Sequence, residues 1–370
     1  MDEGVVLMKR ELKITKYLLW IFTVGTVALL VINAQGAIAY SRDALNICFE
    51  MIVPTLFPFF ICSGILIYSG FCEVMARACR FCMYPRFKVA PAGSGAVVLG
   101  IVSGYPLGAI TAGELYANSY LSKSEAERLL SFCSNSGPLF ILGSVGIAVY
   151  SDMRLGAAMY VTHILAAITV GVLFRFYGRN KHSSPPTIMT TPERGIGEIF
   201  DIALQNGIRS ILTVCGAVLF FSVASRLLLD CLPLSGTADA VVSGLLEFVT
   251  GTVKIAALNM SVSKKMILTA AIVGFAGVSV HAQVMAVIAR YNLSLFPYIA
   301  GKALHGIISA VYMALYLRFV PVTTAVMAIK PSMSRAFGAA SLFELITAAS
   351  AVLAFLIYAV ARYMKMKKIV

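Results

Sequence analysis

Two clusters of helix-breaking residues interrupt long, uncharged apolar segments between Gly100 and Gly146. The first cluster is Ser103-Gly104-Tyr105-Pro106-Leu107-Gly108, and the second is Asn135-Ser136-Gly137-Pro138. In hydrocarbon, backbone groups that leave a helix must find other partners, so such breaks survive only where protein or a water-filled cavity surrounds them. Two breaks this close together predict a binding site at membrane depth.

The composition places the chain in a lipid bilayer. Hydrophobic residues make up 59% of its 370 residues and charged residues only 13%, against about 25% in soluble domains. The net charge of +13 comes from short Lys and Arg clusters between apolar segments rather than from one basic stripe, which argues against nucleic-acid binding. We therefore predict an all-α polytopic membrane protein whose basic loops face the cytoplasm.

The basic loops predict a re-entrant hairpin in the first half of the chain. The apolar segments Val89 to Gly113, Leu129 to Ser151 and Leu155 to Phe174 lie between two basic loops that should both be cytoplasmic. Three full crossings cannot begin and end on the same side. Because Val89 to Gly113 contains the first break, we predict that this segment enters and leaves the membrane by one face.

The N-terminal segment allows two interpretations. Four lysine and arginine residues precede the uncharged segment Tyr17 to Tyr40, a pattern typical of an uncleaved anchor with a cytoplasmic N-terminus. Ala37-Ile38-Ala39 resembles a signal-peptidase site, which would make the segment a cleaved signal. We expect an anchor, followed by a second span over Ile52 to Phe71.

The second half of the chain has a similar organisation. We predict an interfacial amphipathic helix over Glu198 to Arg209 and an acidic external loop containing Asp230 and Asp239. The apolar segments are Ser210 to Leu229, Val241 to Leu258, Met266 to Ala289, Leu295 to Leu317 and Leu342 to Ala361. A basic C-terminal tail on the cytoplasmic side again requires one re-entrant segment. We place this second hairpin at Val241 to Leu258.

Sequence matches about 140 residues apart indicate an internal repeat. Gly108 falls opposite Gly251, Gly137 opposite Gly277, and His163 opposite His305. The identities are few, so chance alignment of apolar sequence is the alternative. Each copy would cross the membrane three times, which inverts the second copy, as in many secondary transporters. The predicted units are an anchor (1–48), a first repeat (49–178), a linker with the interfacial helix (179–207), a second repeat (208–320), and a C-terminal helix with its tail (321–370).

The candidate substrate-binding residues combine helix breaks with polar side chains. Glycines let a ligand approach the backbone, and freed N–H groups at the starts of half-helices favour an anionic group. The alternative is that the glycines only allow close helix packing. The candidates are Ser103, Gly104, Tyr105, Pro106, Asn135, Ser136, Gly137, Glu247, Thr250, Gly251, His281, Gln283, Lys302 and His305.

Two of these candidates, and His163 outside the set, also have structural interpretations. Glu247 is acidic inside an apolar segment, which favours a functional role, but it would also suit an interfacial ion pair with Lys254. Lys302 lies about 10 Å into a span, so it either extends to the interface or faces a cavity, where with His281 and His305 it would suit a carboxylate. His163 alone fits a hydrogen-bonded core histidine.

Enzymatic motifs and metal-ligand sets are missing from the sequence. It contains no nucleophile triad, paired catalytic carboxylates, phosphate-binding glycine loop or dinucleotide fingerprint. Cys79-x-x-Cys82 has no second pair and no nearby histidine, so we expect no metal or other cofactor and no catalysis. A coupling ion, Na⁺ or H⁺, is left open.

Several of these segments resemble the sporulation integral membrane proteins of the YlbJ/SpoVV type, in the nucleoside-recognition or Gate-domain superfamily. The resemblance extends from about Phe49 to Phe319. The segments that carry it are Phe57-Pro58-Phe59-Phe60, Gly104-Tyr105-Pro106-Leu107-Gly108-Ala109, Ser124-Glu125-Ala126-Glu127-Arg128-Leu129-Leu130-Ser131-Phe132-Cys133 and Asn135-Ser136-Gly137-Pro138-Leu139-Phe140. The chain departs from the family pattern at Ser134, where that pattern has asparagine, and in the insertion from Cys72 to Cys82.

The resemblance implies a fold similar in plan to concentrative nucleoside transporters and a role in endospore formation. Family members are associated with moving dipicolinic acid from the mother cell across the outer forespore membrane, so we expect export of a small organic anion. The alternatives are a nucleoside or nucleobase transporter and a non-transporting scaffold for a sporulation complex. Expected partners are the anionic substrate, the lipid bilayer, and either a second copy of the chain or other sporulation membrane proteins.

Overall fold

The computed structural model describes residues 17, 20–178, 194–232 and 234–320. All regular structure within them is helical. Four helices are long and apolar enough to cross a membrane, and two bent helix pairs could each form a further span. The four are Met153–Phe176, Ile196–Asp230, Val262–Tyr291 and Phe296–Phe319. The predicted all-α polytopic membrane protein is confirmed. The predicted final span over Leu342 to Ala361, its basic tail and residues 179–193 of the linker lie outside the described residues.

Shorter helices connect and flank these spans. In chain order they are Ala34–Ile47, Val53–Tyr68, Phe71–Ala78, Ser94–Val102, Leu107–Ala117, Lys123–Cys133, Leu139–Val149, Gly236–Leu246 and Phe248–Ala257. Capping residues explain some of their starts. Ser122 and Glu125 form a reciprocal capping box before Lys123–Cys133, and Asp152 accepts a hydrogen bond from the Arg154 N–H at the start of Met153–Leu173.

The N-terminal segment is bent rather than straight. Helices Trp20–Ile32 and Ala34–Glu50 meet at an angle of 103°. At the bend, the Asn33 side chain accepts a hydrogen bond from the Gly36 N–H and so starts a new helix. The apolar segment predicted as an anchor over Tyr17 to Tyr40 therefore contains a bend at Asn33.

One continuous helix replaces the predicted interfacial helix and separate span after the linker. Ile196–Asp230 contains 35 residues and is about 52 Å long, with no interruption near Arg209. Gly207 lies within this helix, where an added Cβ would be 3.1 Å from a side-chain carbon of Ile61 on Val53–Tyr68. The boundary between Glu198–Arg209 and Ser210–Leu229 was wrong because close packing continues along the helix.

Two helical hairpins occupy the positions predicted from the breaks. The first hairpin consists of Ser94–Val102 and Leu107–Ala117, which pack against each other. A Cβ added to Gly100 would lie 3.2 Å from the Gly108 Cα, so glycines allow the close approach. The second hairpin consists of Gly236–Leu246 and Phe248–Ala257, and it begins five residues before the predicted Val241.

Each hairpin tip touches an interrupted helix in its own half of the chain. Lys123–Cys133 and Leu139–Val149 are separated by residues 134–138, which include the Asn135-Ser136-Gly137-Pro138 cluster, and Val262–Phe275 and Gly277–Ile288 are separated at Ala276. Gly104 has φ +85°, and a Cβ on it would be only 2.8 Å from the Gly137 N. A Cβ on Gly277 would be 3.1 Å from the Phe248 N. The order of hairpin, broken helix and long helix thus occurs twice.

Candidate functional site

The hairpin tips and helix breaks surround a small cavity, which we call the central cavity. Its volume is about 90 Å³, and none of its described lining residues is charged. Six predicted substrate-binding residues line it: Ser103, Gly104, Tyr105, Ser136, Gly137 and Gln283. Apolar side chains complete the wall, including Phe140 and Phe248, whose ring centroids are 5.0 Å apart. The breaks predicted from sequence therefore meet at one cavity.

A second, wider cavity adjoins the central cavity. It has a volume of about 1190 Å³ and shares the lining residues Ile47, Phe140, Ser144 and Val249 with the central cavity. Its charged lining residues are Asp43, Glu50, Arg226, Asp230, Asp239 and Lys254. These four residues therefore form a wall between the two cavities.

Thr250 and Gly251 of the second hairpin do not line the central cavity. Thr250 lines the wide cavity, and its hydroxyl is buried without a hydrogen-bond partner among the described residues. Gly251 instead lies where the two helices of the hairpin cross, and a Cβ there would overlap the Gly244 Cα. Its role in the described structure is close packing.

Glu247 caps a helix and does not line either cavity. The side chain is 1% exposed, and its two oxygens accept hydrogen bonds from the Val249 N–H at 3.0 Å and the Thr250 N–H at 2.7 Å. The suggested ion pair with Lys254 was wrong, because the Lys254 amine lies 2.9 Å from Asp239. Glu247 therefore satisfies the free backbone donors at the tip of the second hairpin.

Pro106 and His281 lie near the tips without lining the central cavity. Pro106 precedes the first residue of Leu107–Ala117 in the first hairpin, and its carbonyl accepts from the Ala109 N–H. His281 is buried, with Nδ1 2.7 Å from the Gly277 carbonyl oxygen and Nε2 without a partner among the described residues. Its ring centroid is 5.1 Å from that of Tyr298, whose buried hydroxyl also has no such partner.

A buried polar cluster lies behind the central cavity, formed by Asn135, His163, Lys302 and His305. All four side chains are at most 2% exposed. The Lys302 amine lies 3.0 Å from His305 Nδ1 and 3.5 Å from Asn135 Oδ1. It also lies 5.2 Å from the centre of the Tyr105 ring. Lys302 therefore faces the protein interior, and the interpretation that it extends to the membrane interface was wrong.

Hydrogen bonds determine which imidazole nitrogens carry protons in this polar cluster. His305 Nε2 lies 2.9 Å from the His163 carbonyl oxygen, which can only accept, so Nε2 is the protonated nitrogen. His305 Nδ1 then accepts a hydrogen bond from Lys302. In the same way, His163 Nε2 accepts from the Ser136 N–H at 3.2 Å, so its proton is on Nδ1. The cluster thus contacts the backbone of a residue that lines the central cavity.

His163 is the functional candidate that sequence reasoning missed. It was interpreted as a hydrogen-bonded core histidine, but its Nδ1 has no hydrogen-bond partner among the described residues. Its ring centroid is 4.3 Å from that of His305, the residue opposite it in the internal alignment. The match between the two histidines was the signal that could have identified the pair.

One comparison with known proteins identifies a relative. Over 338 residues the chain is 28% identical to the sporulation integral membrane protein YlbJ of Bacillus subtilis (strain 168), covering 82% of this chain and 83% of the relative. No protein-family model matches the chain. No solved structure matches it either. The likeness to YlbJ extends over most of both chains and supports assignment of this chain to the YlbJ type of sporulation integral membrane proteins.

Proposed function

We propose that this protein transports a small organic anion during sporulation, and that the anion is dipicolinate, exported from the mother cell across the outer forespore membrane. The observation that carries the proposal is the central cavity at the meeting point of two hairpin tips and two helix breaks. Discontinuous helices that meet in this way form substrate sites in secondary transporters. The similarity to a sporulation integral membrane protein supplies the cellular context.

The charges around the central cavity favour an anion. Its described lining residues include no carboxylate, and the buried Lys302 amine lies 5.2 Å from the centre of the ring of Tyr105, which lines the cavity. The hydroxyl of Ser136 is buried without a hydrogen-bond partner among the described residues and is available as a donor. The aromatic rings of Tyr105, Phe140 and Phe248 suit a planar ring.

Transport requires the central cavity to widen. Its volume of about 90 Å³ is below the roughly 300 to 1,000 Å³ typical of ligand pockets. The wall shared with the wide cavity, where Phe140 and Val249 lie, is the place where widening opens a path. The acidic loop with Asp230 and Asp239 was predicted to be external, so this path would lead to the side opposite the cytoplasmic basic loops.

The two halves would then act as inverted repeats. In this arrangement the first hairpin enters from the cytoplasmic face, the second enters from the opposite face, and both termini are cytoplasmic. The two hairpin tips reach the central cavity from different halves of the chain, as such a transporter requires. Movement of one half against the other would expose the cavity to each side in turn.

Uptake by proteoliposomes tests the proposal. We expect reconstituted full-length protein to accumulate radiolabelled dipicolinate and not uridine. Ser136→Ala removes a donor to the anion, so it should reduce uptake about tenfold, the effect of losing one hydrogen bond to a charged group. Ser309→Ala is the matched control, because its hydroxyl is equally buried and unpartnered among the described residues but does not line the cavity.

Three outcomes would count against the proposal. Uptake of uridine alone would replace the anion with a nucleoside as the substrate. Uptake of neither compound, with correctly folded protein in the vesicles, would favour a scaffold of a sporulation complex. Equal loss of uptake in Ser136→Ala and Ser309→Ala would show that the central cavity is not the substrate site.

A further inference from the structure

The Lys302 amine is buried without a carboxylate partner. Its side chain is fully buried, and none of the ion pairs among the described residues includes it. Its polar contacts are the neutral acceptors His305 Nδ1 and Asn135 Oδ1, the second at the long distance of 3.5 Å. An ammonium group without a counter-ion in the protein interior is strongly unfavourable. The buried amine is therefore stable only if it is uncharged or if an anion lies nearby.

The titratable groups that face Lys302 do not supply this anion. They are Tyr105, Cys133, His163, His281 and His305, and Tyr298 lies next to Tyr105 and Cys133. Thiol, phenol and imidazole groups carry no negative charge at neutral pH in their usual forms. The negative charge closest to Lys302 would thus be a substrate anion in the central cavity, on the other side of the Tyr105 ring.

We propose that Lys302 is a proton-binding site coupled to the occupancy of the central cavity by an anion. This inference rests on the proposed transport function. When the anion enters, the lone pair of the Lys302 amine takes a proton from water on the same side, forming the ammonium group. When the anion leaves on the other side, that N–H bond breaks and the proton returns to water there. One proton would move with each anion.

The polar cluster is suited to transmit occupancy to Lys302. The Nε2–H of His305 donates a hydrogen bond to the His163 carbonyl oxygen, so Nδ1 carries no proton and can accept from Lys302. His163 in turn accepts from the backbone of Ser136, a residue in the cavity wall. The two histidines therefore stay neutral while they position the amine. This leaves Lys302 as the group whose charge changes.

Calorimetry with the full-length protein in detergent tests the inference. Titration of dipicolinate in two buffers with different ionisation enthalpies gives the number of protons taken up with each bound anion. We expect about one proton for the unmodified protein. Lys302→Arg keeps a permanent charge, so it should bind the anion without proton uptake. Lys302→Met should weaken binding by at least about tenfold.

Lys265→Arg is the matched control. Lys265 is also a buried lysine, with its amine 2.7 Å from the Ala256 carbonyl oxygen and outside the polar cluster. This variant should take up protons as the unmodified protein does. Binding without proton uptake by the unmodified protein, or unchanged uptake in Lys302→Arg, would overturn this inference and leave the proposed transport intact. Failure of the unmodified protein to bind dipicolinate would overturn both.

A measurement on the unmodified protein alone gives a second test. In proteoliposomes with the membrane potential clamped, dipicolinate uptake should acidify the interior, as reported by a trapped pH-sensitive dye. Uridine should cause no acidification. Dipicolinate uptake with constant internal pH would overturn the inference, whatever the folding of the variants.

Discussion

Gly251→Ala tests whether close contact between its two helices holds the second hairpin together. A Cβ on Gly251 would overlap the Gly244 Cα, lie 2.5 Å from the Gly244 N and lie 3.3 Å from the Ala240 carbonyl oxygen. All three atoms belong to the backbone of the facing helix, so rotation of a side chain cannot relieve the overlap. The two helices must move apart.

The size of the effect follows from this geometry. Carbon atoms in contact are normally about 3.5 to 4.0 Å apart, so the helices would have to separate by more than about 1 Å. Inserting a methyl group into a packed interior usually costs about 1 to 3 kcal/mol, and we take the upper value of about 3 kcal/mol because the overlap is with backbone atoms. The better helix propensity of alanine offsets about 1 kcal/mol of this cost. We therefore expect a net loss of about 2 kcal/mol in the free energy of unfolding.

The effect is measured by thermal unfolding of Gly251→Ala in detergent, with Gly216→Ala as the control. Gly216 also lies inside a helix, but nothing is within 4 Å of an added Cβ there. The propensity gain is the same in both variants, so their difference reports the overlap. We expect Gly251→Ala to lower Tm by several degrees and Gly216→Ala to leave it unchanged or raise it. Equal Tm values for the two variants would refute the close crossing.

Scanning fluorimetry of variants tests three further contacts. Glu247→Ala removes the acceptor of two buried N–H groups and should cost about 2 kcal/mol, whereas Glu247→Gln, which keeps one amide oxygen, should lose about half of that; equal stability of both with the unmodified protein would contradict the capping role. Lys254→Ala breaks a partly exposed pair with Asp239, so it should cost under about 1 kcal/mol and less at high salt; a large, salt-independent loss would be inconsistent with that exposure. Tyr150→Phe loses a 2.7 Å hydrogen bond to Thr269, worth about 1 kcal/mol, and should be non-additive with Thr269→Val; strict additivity would show that the bond contributes nothing.

The sequence predicted the local interruptions of the fold well. Both hairpins and both helix breaks lie where glycine, proline and polar residues interrupt apolar segments. Errors arose where a helix boundary depended on packing or on one side chain. Asn33 bends the N-terminal segment through its cap, and the helix over Ile196–Asp230 continues because it packs along Val53–Tyr68.

The candidate site was predicted in part. Tyr105, Ser136 and Gln283 line the central cavity as expected, because polar groups beside helix breaks in apolar segments need a cavity or protein partners around them. Glu247 was expected to bind substrate, but the structure places it at a helix start. An acidic residue in an apolar segment shows that its charge must be satisfied, and only three-dimensional contacts show that backbone N–H groups satisfy it.

By itself, the sequence determined that this protein is helical, lies in a membrane and has two helical hairpins and two interrupted helices. It could do so because glycine, proline and uncharged apolar segments constrain the backbone locally. Only the tertiary structure decided that the interruptions enclose one cavity, that His163 packs on His305, and that Lys302 is buried behind Tyr105 without a carboxylate partner among the described residues. These contacts join residues far apart in the chain, so they depend on how whole helices pack.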